Sequence, residues 1–494
     1  MHEIVLSDPQ EYISTLKGDT ASNPEACPMD DVLKSLANRA RDLGAKYADA
    51  RFQDVRTTLI VVENGSLRSY ESNRSTGVGI RVLVDGTWGL ASSSIMDRAT
   101  LRQKVSEAIR LAKASKKLSA NTELAKVKAV EKEVQLSVKI DPDDIPPDTK
   151  VKLLLDANNA AKIGSEIKNS TSRFGFLRDR RIFVSSESAK IKTDITTSGF
   201  SQLSVAAANG SMERVPEQRS CCAGYEFIES GDWNAFARDV SQLASKVVVA
   251  PLPPAGTYPA ILDPELIGLF LHEALGHASE GDLVTSKESV LDGRLGSSIA
   301  SESVTVYDDG GIDGGYLVPF DDEGVPKGKT TILDKGRLRG FLMSRDTATE
   351  LGLEPTGNAR AQSFEHKPIV RMTNIYMERG NLTFDELIKG IDYGFYIRGR
   401  GSLGGQVDVG GGTFTFRAGP SYLIEKGELK HMVRAVTLAG KVLETLKTID
   451  AVGKDFTVTT SVFGGCGKDG QMAKVGDGGP HVRLGKLTIG GRVD

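Results

Sequence analysis

The sequence predicts an α+β chain, with helix-plus-antiparallel-sheet units toward the N-terminus and a β-rich unit toward the C-terminus. Three observations carry this. Alternating stretches are joined by Asn64-Gly65 and Asp85-Gly86, dipeptides that fold neighbouring strands back as hairpins. Two long runs, Asp30–Leu43 and Thr100–Lys116, repeat apolar residues at helical spacing. Beyond residue 257 the chain reads mostly as short strands and glycine-rich turns. At 494 residues it exceeds what one core organises, so two or three domains are expected.

Residues 1–28 are polar and irregular and are expected to form a poorly ordered leader. Val32, Leu33, Leu36, Ala40 and Leu43 fall at helical spacing, and Gly44 stops that helix. Tyr47–Phe52, Thr58–Glu63 and Leu67–Tyr70 read as strands, and Gly77–Val84 pairs with Thr87–Ala91. With the helix over Thr100–Lys116 they make an α+β domain spanning 29–118. Lys117–Lys132, rich in Lys, Ala and Glu, reads as a linker. The prolines and aspartates of Asp141–Asp148 break structure again. A helix near Thr149–Lys162 and strands near Ser172–Phe176, Arg181–Ser186, Ile191–Ser198 and Gln202–Ala208 give a central α/β domain, 133–249. The proline-rich joint Ala250–Gly256 marks a boundary. The β-rich C-terminal domain covers 254–494, with one further helix expected at Val442–Val452.

The net charge of −3 gives no general attraction to nucleic acid or anionic lipid. No run of apolar residues is long enough for a membrane span, and the N-terminus lacks a secretory pattern. Cys27, Cys221, Cys222 and Cys466 are too few for a disulfide framework, and a cytoplasmic location is expected.

Chemistry concentrates in one helix. Asp263-Pro264 opens it, since aspartate caps free N–H groups and proline suits the first turn. Leu266, Ile267, Leu269, Phe270 and Leu271 make it apolar nearly all round, hence buried. Burying His272, Glu273 and His277 there without compensation costs roughly a few kcal/mol per group, which metal coordination would offset. The motif is H-E-A-L-G-H, so the histidines stand at i and i+5. On a regular helix their rings would diverge by about 140°. One extra residue in the turn, a π-bulge, would restore a shared face, so a bulge is expected between His272 and His277, eased by Gly276. Two imidazoles suit zinc, and a catalytic zinc usually takes three protein ligands and a water. Glu280, Asp282 and Cys466 are the candidates for the third; on spacing alone Glu280 and Cys466 stand level.

Several separated segments resemble one family. They are F-L-H-E-A-L-G-H-A-S-E-G-D (Phe270–Asp282), R-M-T-N-I-Y-M (Arg371–Met377), Y-L-I-E-K-G-E-L (Tyr422–Leu429) and G-C-G-K-D-G-Q (Gly465–Gln471). With the strands around Gly77–Leu83 and Trp88-Gly89, they resemble the TldD/PmbA zinc metallopeptidases in their TldD, catalytic, branch. The resemblance covers the chain from about residue 30 onward. It implies one Zn2+ per chain, held by His272, His277 and Cys466, with Glu273 as the base, and it moves the third-ligand choice from Glu280 to Cys466. The other branch lacks the metal motif, so a homodimer or a heterodimer with a TldE/PmbA-like paralogue is implied. His481, after Pro480, departs from the pattern, where threonine is expected.

The reaction expected is hydrolysis of peptide bonds in extended peptides. Glycines Gly404-Gly405 and Gly410–Gly412 either accept such a strand or only shape turns. Arg371, Asn374 and Tyr376 are candidates for contacting substrate or an oxyanion, and His366 and His431 for structural roles. The family's older description as a modulator of DNA gyrase points instead to a regulatory factor with structural zinc; the net charge speaks against direct nucleic-acid binding.

Overall fold

Strands from both N-terminal segments share one sheet. The computed structural model describes residues 28–116 and 121–491; the expected leader, but for Pro28, lies outside the described residues. Helix α1 (Met29–Asp42) leads into β1 (Tyr47–Glu63), β2 (Ser66–Val84), β3 (Thr87–Ser93) and α2 (Arg98–Ser115). Next come β4 (Glu131–Gln135), which takes up the last two residues of the expected linker, α3 (Pro147–Ala160), β5 (Ile167–Ser185), β6 (Lys190–Ala208), β7 (Ser211–Cys221), α4 (Glu226–Glu229) and α5 (Trp233–Val247). The strand order is β3-β2-β1-β5-β6-β4, with β7 also on β6. The linker at 117–132 therefore separates no two sheets, because β1 pairs with β5 along its length.

Each long strand absorbs two of the expected short ones. The middles of these strands are polar or glycine-bearing and so read as breaks. In the structure Arg178 binds Asp141 and Asp194, Arg181 binds Asp322, and Arg81 binds Asp49 and Glu323. Two of these ion partners, Asp322 and Glu323, come from the C-terminal half. Leu33, Leu36, Ile80, Val82, Leu101 and Val105 build one core under α1 and α2. Phe174, Phe200, Trp233 and Phe236 build another under α3 and α5.

The C-terminal half has two main sheets. One contains β9 (Val306–Asp309), β10 (Lys329–Asp334), β11 (Arg337–Leu338), β14 (Asn374–Met377), β22 (Thr457–Thr460) and β25 (Gly476–Gly479). The other contains β8 (Gly256–Leu262), β15 (Tyr393–Ile397), β16 (Gly404–Asp408), β17 (Thr413–Arg417), β18 (Ser421–Glu425), β19 (Glu428–Val433), β20 (Val436–Lys441), β21 (Ile449–Val452) and β26 (Val482–Gly491). Small ladders pair β12 (Ala359–Arg360) with β13 (Ile369–Val370), and β23 (Cys466–Lys468) with β24 (Gln471–Ala473). The helices are α6 (Pro264–Leu271), α7 (Gly281–Thr285), α8 (Arg345–Leu351), α9 (Phe384–Lys389) and α10 (Val442–Lys447).

The helix expected over Val442–Val452 is thus only half helix. α10 ends at Lys447 and β21 follows, with Ile449 registered on Leu484 of β26. A sheet partner far away in sequence outbids the helical spacing of the β-branched Ile449. β8 lies between β15 and β26 and delivers α6 into the space between the two sheets. There Phe270 packs on Phe414 and Phe416 of β17, while the other side of α6 meets β25.

Candidate active site

Asp263 caps α6, its carboxylate accepting from Leu266 N at 2.9 Å and Gly399 N at 2.7 Å. The helix then widens into a π-turn over His272–Gly276 and tightens to a 3-10 turn over His277–Ser279. This is the bulge the i, i+5 spacing demands, and it brings the two imidazole centroids to 5.3 Å. Gly276 serves close approach: a Cβ there would lie 1.9 Å from Met372 Sδ.

Cys466 reaches the same spot from β23, its Sγ 3.1 Å from His277 Nε2. One donor atom from each of His272, His277 and Cys466 lies within 4.8 Å of the others. His272 and Cys466 are each 5% exposed. Glu273, next to His272 on the π-turn, is half-buried. Its charge reaches Asp477, whose carboxyl burial raises to about 6, with Glu273 and Cys466 pushing the same way against His272.

Burial by itself would raise the Cys466 thiol, but hydrogen bonds and charges from His272 and His277 hold it down to about 5. Burial would likewise lower His277, yet hydrogen bonds to Cys466 and Glu280, with their charges, lift it to about 10. The thiolate of Cys466 and the imidazolium of His277 thus favour each other. Two imidazoles and a thiolate, small in number and tightly convergent, are also the donor set of a catalytic zinc. The residues present therefore fit that ion.

Glu280 stands behind this cluster. Fully buried, it meets His277 Nδ1 at 3.0 Å and Lys468 Nζ at 3.0 Å through Oε2. Lys468 also donates to Asp282 at 2.6 Å. A carboxylate on Nδ1 fixes the ring and leaves Nε2 free to ligate. Glu280 thus steadies His277 instead of joining the three donors.

Other sequence candidates lie elsewhere. Arg371 donates to Cys466 O and to Gln471 O at 3.1 Å, anchoring the β23–β24 hairpin. Asn374 is buried among Asp309 O and Tyr316 O, and Tyr376 packs on Tyr307 and Phe456. All three are buried. His481 bonds Asp455 at 2.6 Å and Tyr396 at 3.0 Å, outside the donor cluster. His366 pairs with Ser363, and His431 lies exposed on β19. Sequence reasoning missed Asp477, whose carboxylate lies 3.8 Å from His272 Nδ1; its only signal is an acid set among glycines in Gly476–Gly479.

Residues 255–491 match the model of the PmbA/TldA metallopeptidase C-terminal domain, and residues 48–112 match PmbA/TldA metallopeptidase domain 1. A metalloprotease of Methanothermobacter thermautotrophicus is 39% identical over 447 residues, covering 90% of this chain and 96% of that one. The chain belongs to the PmbA/TldD metallopeptidase family. A second PmbA/TldD relative, the zinc metalloprotease TldD homolog of Saccharolobus solfataricus, is 31% identical and covers 92% of this chain and 99% of its own. TldE from Thermococcus kodakarensis shares the fold at a TM-score of 0.75 and 20% identity, covering 93% of this chain and all of that one. Like its PmbA/TldD relatives the protein is a metallopeptidase with a metal cofactor. No helix among the described residues is long and apolar enough to cross a membrane.

Proposed function

We propose that the chain is a catalytic, TldD-type member of the family that hydrolyses peptide bonds in extended peptides or unfolded segments. One zinc is held by His272, His277 and Cys466, and Glu273 is the general base. The observation that carries this reading is the convergence of two imidazoles and one low-pKa thiol on a π-turn that also bears a glutamate. Bound there, zinc supplies a Lewis acid that polarises the scissile carbonyl and lowers the pKa of water toward about 7. Glu273 accepts the proton of the attacking water and hands it to the departing amine. Glu280 and Lys468 hold His277 in the tautomer that presents Nε2.

The extended-peptide substrate is supported by β16, an edge strand of the nine-stranded sheet that packs beside the π-turn. An added strand gains main-chain hydrogen bonds with little sequence preference. Gly404 and Gly405 belong to this edge, whereas Gly410–Gly412 lie in the β16–β17 turn. Cavities of about 450 and 410 Å3 both touch Phe463, in the turn that leads to Cys466. A cytoplasmic location, and a dimer with itself or with a TldE/PmbA-like paralogue, belong to the same proposal; direct nucleic-acid binding and membrane association do not.

The test measures zinc per chain and peptide hydrolysis for wild type, Glu273→Gln and Cys466→Ser. Glu273→Gln is expected to keep its zinc and lose about 100-fold or more in turnover; Cys466→Ser is expected to lose metal. Full zinc in Cys466→Ser removes that ligand, and hydrolysis that survives Glu273→Gln moves the base elsewhere. Zinc without hydrolysis in wild type, even after adding a TldE-like paralogue, turns the reading to a regulatory factor.

A further inference from the structure

Helix α6 crosses β25 at Gly268, where a Cβ would lie 2.5 Å from Gly478 N and 2.7 Å from Asp477 Oδ1. One turn later His272 falls on the same face. Its Nδ1 lies 3.8 Å from Asp477 Oδ2, and this buried nitrogen has no hydrogen-bond partner among the described residues. β25 is an interior strand between β14 and β22. Side chains at its glycines would collide with Asn374 Oδ1 at 2.5 Å and Thr457 O at 2.0 Å, so the backbone carrying Asp477 is fixed from both sides. A hydrogen bond of about 2.9 Å needs His272 and Asp477 to approach by only about 1 Å. The neighbouring imidazole already has this arrangement, His277 Nδ1 standing 3.0 Å from Glu280.

We infer that Asp477 is a positioning residue for His272. Its carboxylate accepts the Nδ1–H and turns Nε2 of that ring toward the donor atoms of His277 and Cys466. The site is then built from two carboxylate–imidazole couples, one from the strand bed (Asp477) and one from the motif segment itself (Glu280), with Cys466 completing the set. This inference rests on the metal site proposed above.

Full-length wild type, Asp477→Ala, Asp477→Asn and His272→Ala are compared for zinc affinity by chelator competition, and for the imidazole N–H resonance of His272 by nitrogen-15 NMR. Asp477→Ala is expected to bind zinc about 10–100-fold more weakly. Asp477→Asn keeps an oxygen that accepts the Nδ1–H, so it is expected to stay within a few-fold of wild type and retain the resonance that alanine loses. Equal affinity of wild type and Asp477→Ala overturns the inference and leaves the metal site standing. A loss in Asp477→Ala that asparagine does not restore, and that comes with a lower melting temperature before zinc is added, makes Asp477 merely structural and also overturns it. If wild type binds no zinc, or His272→Ala binds as tightly as wild type, the metal site itself falls.

Discussion

At the scale of single residues, the proton on Cys466 is the most sensitive reporter of the site. Burial would raise its thiol, but His272 and His277 hold it down to about 5, well below the ordinary thiol range. In chelated protein the thiolate absorbance of wild type, minus that of Cys466→Ala, is expected to disappear with a midpoint near 5; a midpoint near 9 would remove the imidazole contacts. The stabilising contribution of this depressed acid is complete above its ordinary value and fades as pH falls through about 5. That of His277, raised to about 10, is complete below 6.5 and fades as pH rises through about 10. Both express one ion pair, so chelated protein should melt highest between these limits. Glu280 offers a second test. Glu280→Ala leaves His277 Nδ1 without its acceptor and Lys468 with Asp282 and Val370 O. We expect zinc affinity to drop by about 10–100-fold and stability, from chemical denaturation, by about 3–5 kcal/mol. The histidines and Glu273 were legible in the sequence because they share six consecutive positions. Glu280 was visible as a candidate but its role was not, since spacing does not tell a ligand from the partner of a ligand.

At the scale of elements, the π-turn decides whether the motif works. Histidines five positions apart cannot share a face on an α-helix, so the spacing itself calls for the distortion. The spacing does not give the reason for Gly276, which is Met372: its sulfur lies 1.9 Å from where a Cβ would stand. Gly276→Ala should destabilise the protein by about 1–3 kcal/mol in denaturation experiments, as overpacking does, and weaken zinc binding. An unchanged stability would mean that Met372 yields freely. The same contrast separates α10 from β21. Local spacing extended the helix to Val452, and pairing with β26 ended it at Lys447.

For the whole molecule, the N-terminal sheet supports the turn that carries Cys466. Val462 N donates to Ser220 Oγ at 3.1 Å, and Gln218 donates to Thr460 O at 3.1 Å. A Cβ on Gly199 would lie 2.7 Å from Val462, and one on Gly175 2.7 Å from Phe463. Gly199→Val should therefore displace the Val462–Gly465 turn and lower zinc affinity, although position 199 is remote in sequence from every proposed ligand. Affinity equal to wild type would show that the β23–β24 hairpin holds Cys466 without help from the sheet.

Residue order alone specifies the α+β class, the hairpins at Asn64-Gly65 and Asp85-Gly86, the buried helix with its bulge, and a short list for the third donor. These follow from local rules of turn chemistry, helical period and the cost of burying charge. Packing between distant segments makes both N-terminal segments build a single sheet, brings Cys466 to His277 with Glu280 behind it, and sets Asp477 beside His272. The physical reason is distance along the chain. Strand partners, buried ion pairs such as Arg81 with Glu323, and the approach of β23 and β25 to α6 are set by packing between segments far apart in sequence, on which no local periodicity reports.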